Sequence, residues 1–275
     1  MTLTEKITRH FSGKTIILTG AASGIGRALT LRLATSGVLV HAVDSNEQGL
    51  DSLCEEAGGA GRVVACVLDV RDAEAFAGLV KRIHEESKRI DFLFNNAGVT
   101  LLGEAHKVPF ERWKWLLDIN LMGVVHGILP VYPIMIRQQG GHIINTASIA
   151  GVTGYATAAA YTASKAAVLE LTRSLRSEAR LYGIKVSAAC PGYVDSGIFV
   201  QDRVVGADLD DVIKDLPVAM MTPDEAACHL LKGVIAGKPT IVFPFSARFL
   251  WGFSNWAPSL VGPFQKRFLR AFHNS

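Results

Sequence analysis

Short apolar runs and longer mixed segments alternate along the chain. KTIILT (14–19), VLVHAV (38–43), RVVACVL (62–68), DFLFNN (91–96), HIINTAS (142–148), IKVSAAC (184–190) and TIVFP (240–244) are apolar and rich in β-branched residues, without clean alternation. That is the pattern of strands covered on both faces. Amphipathic segments at about 24–36, 46–57, 72–88, 111–138, 158–181 and 223–236 separate them and predict helices. Alternation of this kind predicts an α/β fold: one doubly wound parallel sheet of about seven strands with helices on both faces. Residues 193–222 form the longest stretch without a strong pattern. They follow the carboxyl end of a strand, where open α/β sheets bind ligands, so they predict a substrate loop.

Composition narrows the picture. Hydrophobic residues make up 49% of 275, enough for one large core, and no linker or repeat divides the chain. A single domain over 1–275 is expected. A net charge of +3 with no dense basic stripe argues against nucleic acid as a partner. Cys54, Cys66, Cys190 and Cys228 are scattered without C-x-x-C spacing, so neither a disulfide framework nor a metal site is expected. A reducing cytoplasm is the expected location. The N-terminal stretch lacks the apolar run of a secretory signal. Leu116–Ile136 has the length of a membrane span, but Asp118, Asn120, His126, Pro130 and Pro133 within it predict a buried helix.

Candidate chemistry starts at TGAASGIGRAL, directly after the first strand. Gly20, Gly24 and Gly26 lie between strand and helix, where glycine permits positive φ and close approach of a pyrophosphate. The following helix would direct free N–H groups at the phosphates. Asp44 ends the second strand, 18 residues past Gly26 (44 − 26). It is placed to accept from an adenosine ribose and to repel a 2′-phosphate; a helix N-cap is the alternative. No Arg follows Asp44, Ser23 precedes Gly24, and Arg27 lies inside the helix, which favours NAD over NADP. Asp69 ends the third strand and suits either an adenine amino group or an N-cap.

In AYTASKAAV, Tyr161 and Lys165 share one helical face at i, i+4. A free phenol with a pKa of about 10 is only about 0.1% ionised at pH 7. A cation about 4 Å away contributes up to ~4 kcal/mol at an effective dielectric of ~20, or about three pK units. The pair therefore suits proton exchange with a carbonyl/alcohol couple. Tyr155 is a rival, but its fourth neighbour is Ala159. Ser148 ends the fifth strand, placed to donate to a substrate oxygen. Asn120 sits inside a long helix, a poor position for asparagine unless a local distortion holds it for a purpose.

TGAASGIG (19–26), Asp69, NNAG (95–98), Asn120, Ser148, YTASK (161–165) and PGYVDS (191–196) together resemble the classical short-chain dehydrogenase/reductase family over about residues 12–245. The resemblance implies a Rossmann-type fold and NAD-linked exchange of hydride with an alcohol or ketone. Tyr161 would be the general acid/base, with Lys165 lowering its pKa and binding the nicotinamide ribose. Ser148 would polarise the substrate oxygen, and Asn120 would hold a water linking Lys165 to solvent. Implied cofactor contacts are Gly20, Ser23, Gly24, Ile25, Gly26, Asp44, Asp69, Val70, Asn96, Ala97, Gly98, Tyr161, Lys165, Pro191, Gly192, Val194 and Ser196. Asn95 would steady the central sheet beside them, and Ser196 stands where the family usually has threonine. The resemblance also implies a homodimer or homotetramer through the long helix and the helix bearing Tyr161. Alternatives from other classes are an NAD-binding regulator or scaffold, and lyase or epimerase chemistry with retained NAD.

An aromatic and basic extension closes the chain at 245–275, with Trp251, Phe253, Trp256, Phe264 and Phe268 among Arg248, Lys266, Arg267 and Arg270. Core or subunit packing, a cover over the substrate pocket and peripheral membrane contact are its three readings. Pro244, Pro258 and Arg248 argue against a span, and the apolar character favours a lipophilic substrate.

Overall fold

A computed structural model describes residues 1–58, 63–214, 216, 219–256 and 272. Its strands are β1 (Thr15–Thr19), β2 (Leu39–Asp44), β3 (Val63–Val67), β4 (Phe92–Asn95), β5 (Leu102–Gly103), β6 (Gly141–Thr146), β7 (Ile184–Pro191), β8 (Val204–Val205) and β9 (Thr240–Phe243). Seven form one parallel sheet in the order β3-β2-β1-β4-β6-β7-β9. The order reverses between β1 and β4, which opens a crevice at their carboxyl ends. Thr19 fixes that point: its hydroxyl accepts from the Asn96 and Ala97 backbone N–H groups, both at 3.0 Å.

Helices α1 (Leu3–Phe11), α2 (Gly24–Ala34), α3 (Glu47–Glu56), α4 (Ala73–Ser87), α5 (Phe110–Leu117), α6 (Gly123–Gln138), α7 (Ala150–Thr153), α8 (Ala159–Ala179), α9 (Leu209–Lys214), α10 (Pro223–Ile235) and α11 (Phe245–Trp256) complete the fold. Strand alternation divides the core in two. Ile16 and Leu18 of β1 pack with Leu29 and Leu33 of α2 and Leu230 of α10. Ile17 points to the other face, with Val80 of α4, Val131 of α6 and Val168 of α8. Each such side chain, fully removed from water, contributes about 1.5–3 kcal/mol relative to exposure.

The structure departs from the sequence expectation in four places. β3 is an edge strand with Val64 and Val67 exposed, so the apolar run there is not covered on both faces. The long helix is interrupted by a π-helical turn at Asp118–Met122, between α5 and α6. As its internal polar residues and prolines predicted, the apolar stretch over Phe110–Gln138 is buried: Val124, Ile128, Val131, Ile134 and Met135 pack into the core. α1 was not anticipated, although Thr2 and Glu5 form a capping box and Ile7 and Phe11 bury one face. The patternless stretch contains α9 and β8, and β8 pairs with β5. Two residues per strand are too few to leave a periodic signal.

Candidate active site

A cavity of about 530 Å³ runs along the carboxyl ends of the sheet at the reversal point. One end of it begins at the glycine turn. Gly20 has φ +68° and Gly24 φ +51°, which favour glycine. A Cβ on Gly20 would lie 2.8 Å from Ala97 Cα, and one on Gly24 2.6 Å from Ser196 Cβ. The turn is therefore pressed between β4 and the segment after β7. Ser23 is the N-cap of α2 but makes no side-chain capping bond, and the first turn of α2 holds no acid. Its orphan N–H groups and positive dipole end sit beside Gly20, Ser23, Gly24 and Ile25 on the cavity wall. This cradle fits a pyrophosphate.

Asp44 and Asp69 also line the cavity, and neither caps a helix. Asn46 caps α3 and Asp72 caps α4. Asp44 Oδ2 accepts from Ala22 N and Oδ1 from Asn46 N, both at 3.0 Å, leaving lone pairs toward the cavity. Arg27 is turned away, bonded to Glu56, Gly49 O and Ser52. Asp69 receives the Arg71 guanidinium at 2.9 and 2.5 Å, and that contact holds its carboxyl below the ordinary value. Val70, Asn96, Ala97, Gly98, Pro191, Gly192, Val194 and Ser196 complete this wall. Gly26 does not line it: a Cβ there would fall 1.9 Å from Gly20 O, so its small size lets helix and turn pack.

At the reacting end, α8 presents Tyr161 and Lys165, and β6 delivers Ser148 just beyond its last residue. Lys165 is 3% exposed and donates to Thr146 O at 2.9 Å, with Nζ 5.8 Å from the Tyr161 ring centroid. Burial pushes the ammonium down to about 8. Burial also pushes the Tyr161 phenol above its ordinary value, opposed by a hydrogen bond with Ser148. The expected depression by Lys165 is not found in the polypeptide alone, where burial dominates.

Asn120 is fully buried and stays out of the cavity wall. The π turn carries it, and its amide is engaged: Oδ1 accepts from Val99 N at 2.8 Å, and Nδ2 donates to Val99 O at 2.9 Å and Ser164 Oγ at 3.1 Å. Its side chain therefore positions the β4 loop against α8 rather than facing a reactant. Asn95 belongs to a similar brace, donating to Asn145, which donates to Thr172.

Sequence reasoning missed several cavity residues. Trp115 of α5 lines the cavity without having been singled out, while Phe199, Arg203, Val212 and Leu216 line it from within 193–222, the stretch expected to form the substrate loop. Tyr155 lines it as well, edge-to-face with Tyr193 at 6.2 Å, and burial raises both phenols. Phe272 is buried with Leu102, Ala158 and Val212 beside Tyr161. Trp251 of α11 receives Arg173 over its ring at 5.8 Å. Pro258, Phe264, Lys266, Arg267, Phe268 and Arg270, and the side chains of Phe253 and Trp256, lie outside the described residues.

Fold and cavity together define a nucleotide-binding α/β protein with a Ser–Tyr–Lys group at one end of its crevice. Residues 14–204 match the short chain dehydrogenase family. The chain is 38% identical over 188 residues to the 3-oxoacyl-[acyl-carrier-protein] reductase FabG of Thermotoga maritima, covering 68% of this chain and 76% of that protein. It is 36% identical over 203 residues to levodione reductase of Leifsonia aquatica, covering 70% and 74%. A short chain dehydrogenase/reductase from Burkholderia phymatum, solved in complex with NAD, superposes with a TM-score of 0.82 at 27% identity, covering 91% and 95%. The chain belongs to the short chain dehydrogenase family and is an oxidoreductase of that family.

Proposed function

We propose that the protein is an NAD-dependent alcohol dehydrogenase or ketone reductase acting on a lipophilic substrate. The observation that carries this reading is the meeting of Ser148, Tyr161 and Lys165 in one cavity with the uncapped N-terminus of α2. Bound at this crevice, the nicotinamide would supply or accept hydride and add positive charge near the phenol. Ser148 orients the substrate oxygen, and Tyr161 exchanges a proton with it through Oη. Lys165 supplies a fixed positive charge beneath the phenol and a donor for the ribose. Asn120 holds the strand-to-helix geometry in which this happens.

NAD rather than NADP is supported by the Asp44 carboxylate at the cavity wall and by Arg27, whose donors are taken by α3. It is also supported by the NAD in the Burkholderia phymatum structure. A lipophilic substrate is supported by Leu102, Trp115, Ile149, Phe199 and Val212 around the reacting end. We further propose a single domain over 1–275, residues 193–222 as its substrate loop, and the 245–275 extension as part of the pocket cover through Phe272. A cytoplasmic location fits the four free cysteines. A homodimer or homotetramer fits the exposed Phe110, Met122 and Leu129 on the long helix. The test is absorbance of NADH at 340 nm over a panel of secondary alcohols, ketones, hydroxy acids and oxo acids, with Tyr161→Phe as the control. Turnover that requires Tyr161 supports the reading; a panel without turnover, or turnover retained in the variant, overturns it.

A further inference from the structure

Among the described residues, three cations line the cavity: Arg71, Lys165 and Arg203. Arg71 is paired with Asp69, and Lys165 serves the reacting end. Arg203 differs. It is half-buried among apolar walls, and among the described residues no carboxylate lies within ion-pair distance of it. Its recorded hydrogen bond runs from Nη1 to Ile198 O at 3.4 Å. A guanidinium has five N–H donors, so most of its capacity is uncommitted.

The group is held in place from three sides. Its plane carbon sits 5.8 Å from the centroid of the Trp115 ring, a cation–π contact from α5. The next two residues, Val204 and Val205, pair with Leu102 and Gly103 in register. The residue before it, Asp202, accepts from the Arg112 guanidinium through its carbonyl. A long side chain fixed this way loses little freedom on binding a ligand. The surroundings also select the sign of that ligand. The cavity-lining carboxylates, Asp44 and Asp69, both lie at the dinucleotide end. Trp115 lies against Arg203, and Leu102, Phe199 and Val212 add apolar wall to the same cavity. Desolvation lowers the Arg203 pKa even against the neighbouring Asp202 carboxylate, so that neighbour compensates the charge only in part. An anion placed there relieves that cost.

We propose that Arg203 binds a carboxylate carried by the otherwise apolar substrate, so that the enzyme acts on hydroxy or oxo acids rather than on neutral alcohols and ketones. The inference rests on the reading of this cavity as the dehydrogenase substrate site. Planar, bidentate recognition suits a carboxylate, and Trp115 stacks against the guanidinium that would provide it.

Titration calorimetry of straight-chain fatty acids from butanoate to dodecanoate, each paired with its primary amide, tests the proposal on the full chain with NAD present. The tightest-binding acid should exceed its amide by about tenfold or more, the ratio for a charge-assisted hydrogen bond. Arg203→Met should bring the pair to parity, and Arg203→Lys should restore part of the preference. Thermal denaturation of both variants checks that they fold. Equal affinity of acid and amide in the wild-type protein overturns the proposal, as does absence of acid binding or an acid preference kept by folded Arg203→Met. Oxidation of NADH with 2-decanone separates the two readings. Ketone turnover without acid preference overturns the Arg203 assignment alone. An Arg203-dependent acid preference without turnover of 2-decanone or of 4-oxodecanoate overturns the dehydrogenase reading alone.

Discussion

Asp44 illustrates how far a single residue can be read. Its place at the end of the second strand was legible, but its rival role as a helix cap was not excluded until Asn46 was seen to cap α3. The carboxylate is oriented by Ala22 N and Asn46 N, so its free lone pairs face the cavity. Asp44→Ala should therefore weaken NAD by roughly tenfold through one lost charged hydrogen bond, and raise the NADP/NAD ratio of kcat/KM. The ratio is the useful readout, because general loosening of the turn affects both cofactors. An unchanged ratio contradicts the ribose assignment. Tyr161 and Lys165 were equally legible from their i, i+4 spacing, but their electrostatics were not. Burial of both side chains acts against the simple Coulomb expectation, and burial cannot be read from spacing.

At the scale of elements, the glycine turn and α2 form one unit. Gly26 was read as a cofactor contact because spacing cannot distinguish a glycine that faces a ligand from one that faces its own turn. A Cβ on Gly26 would fall 1.9 Å from Gly20 O, so Gly26→Ala forces α2 away from β1. Overpacking of this kind costs about 1–3 kcal/mol. The variant should show that loss in chemical denaturation and a weakened NAD affinity from the displaced helix end; wild-type values in both would contradict the packing account. Asn120 teaches the complementary lesson. Its unfavourable place inside an apolar helix signalled a distortion, and the π turn at Asp118–Met122 is that distortion. The partners it brings, Val99 and Ser164, are 21 and 44 residues away and left no local trace. β5 and β8 were invisible for the same reason: their pairing is a property of the closed loop.

At the scale of the molecule, the parallel, doubly wound architecture follows from strand–helix alternation and right-handed crossovers, and so was legible in the sequence. Which strand lies at the edge was not, because β3 is as apolar in sequence as the covered strands. The long helix keeps Phe110, Met122 and Leu129 exposed while its other side fills the core. Sedimentation velocity should accordingly find two or four chains per particle, and a monomer at micromolar concentration would contradict assembly through this face. The central claim concerns proton transfer in the cavity. It is tested most directly by Tyr161→Phe, which removes one oxygen and keeps the ring. With a substrate identified from the panel, the account predicts unchanged NAD affinity and a fall in kcat of about 10²–10⁴-fold, the usual contribution of a general acid/base. Turnover within a few-fold of wild type would contradict it.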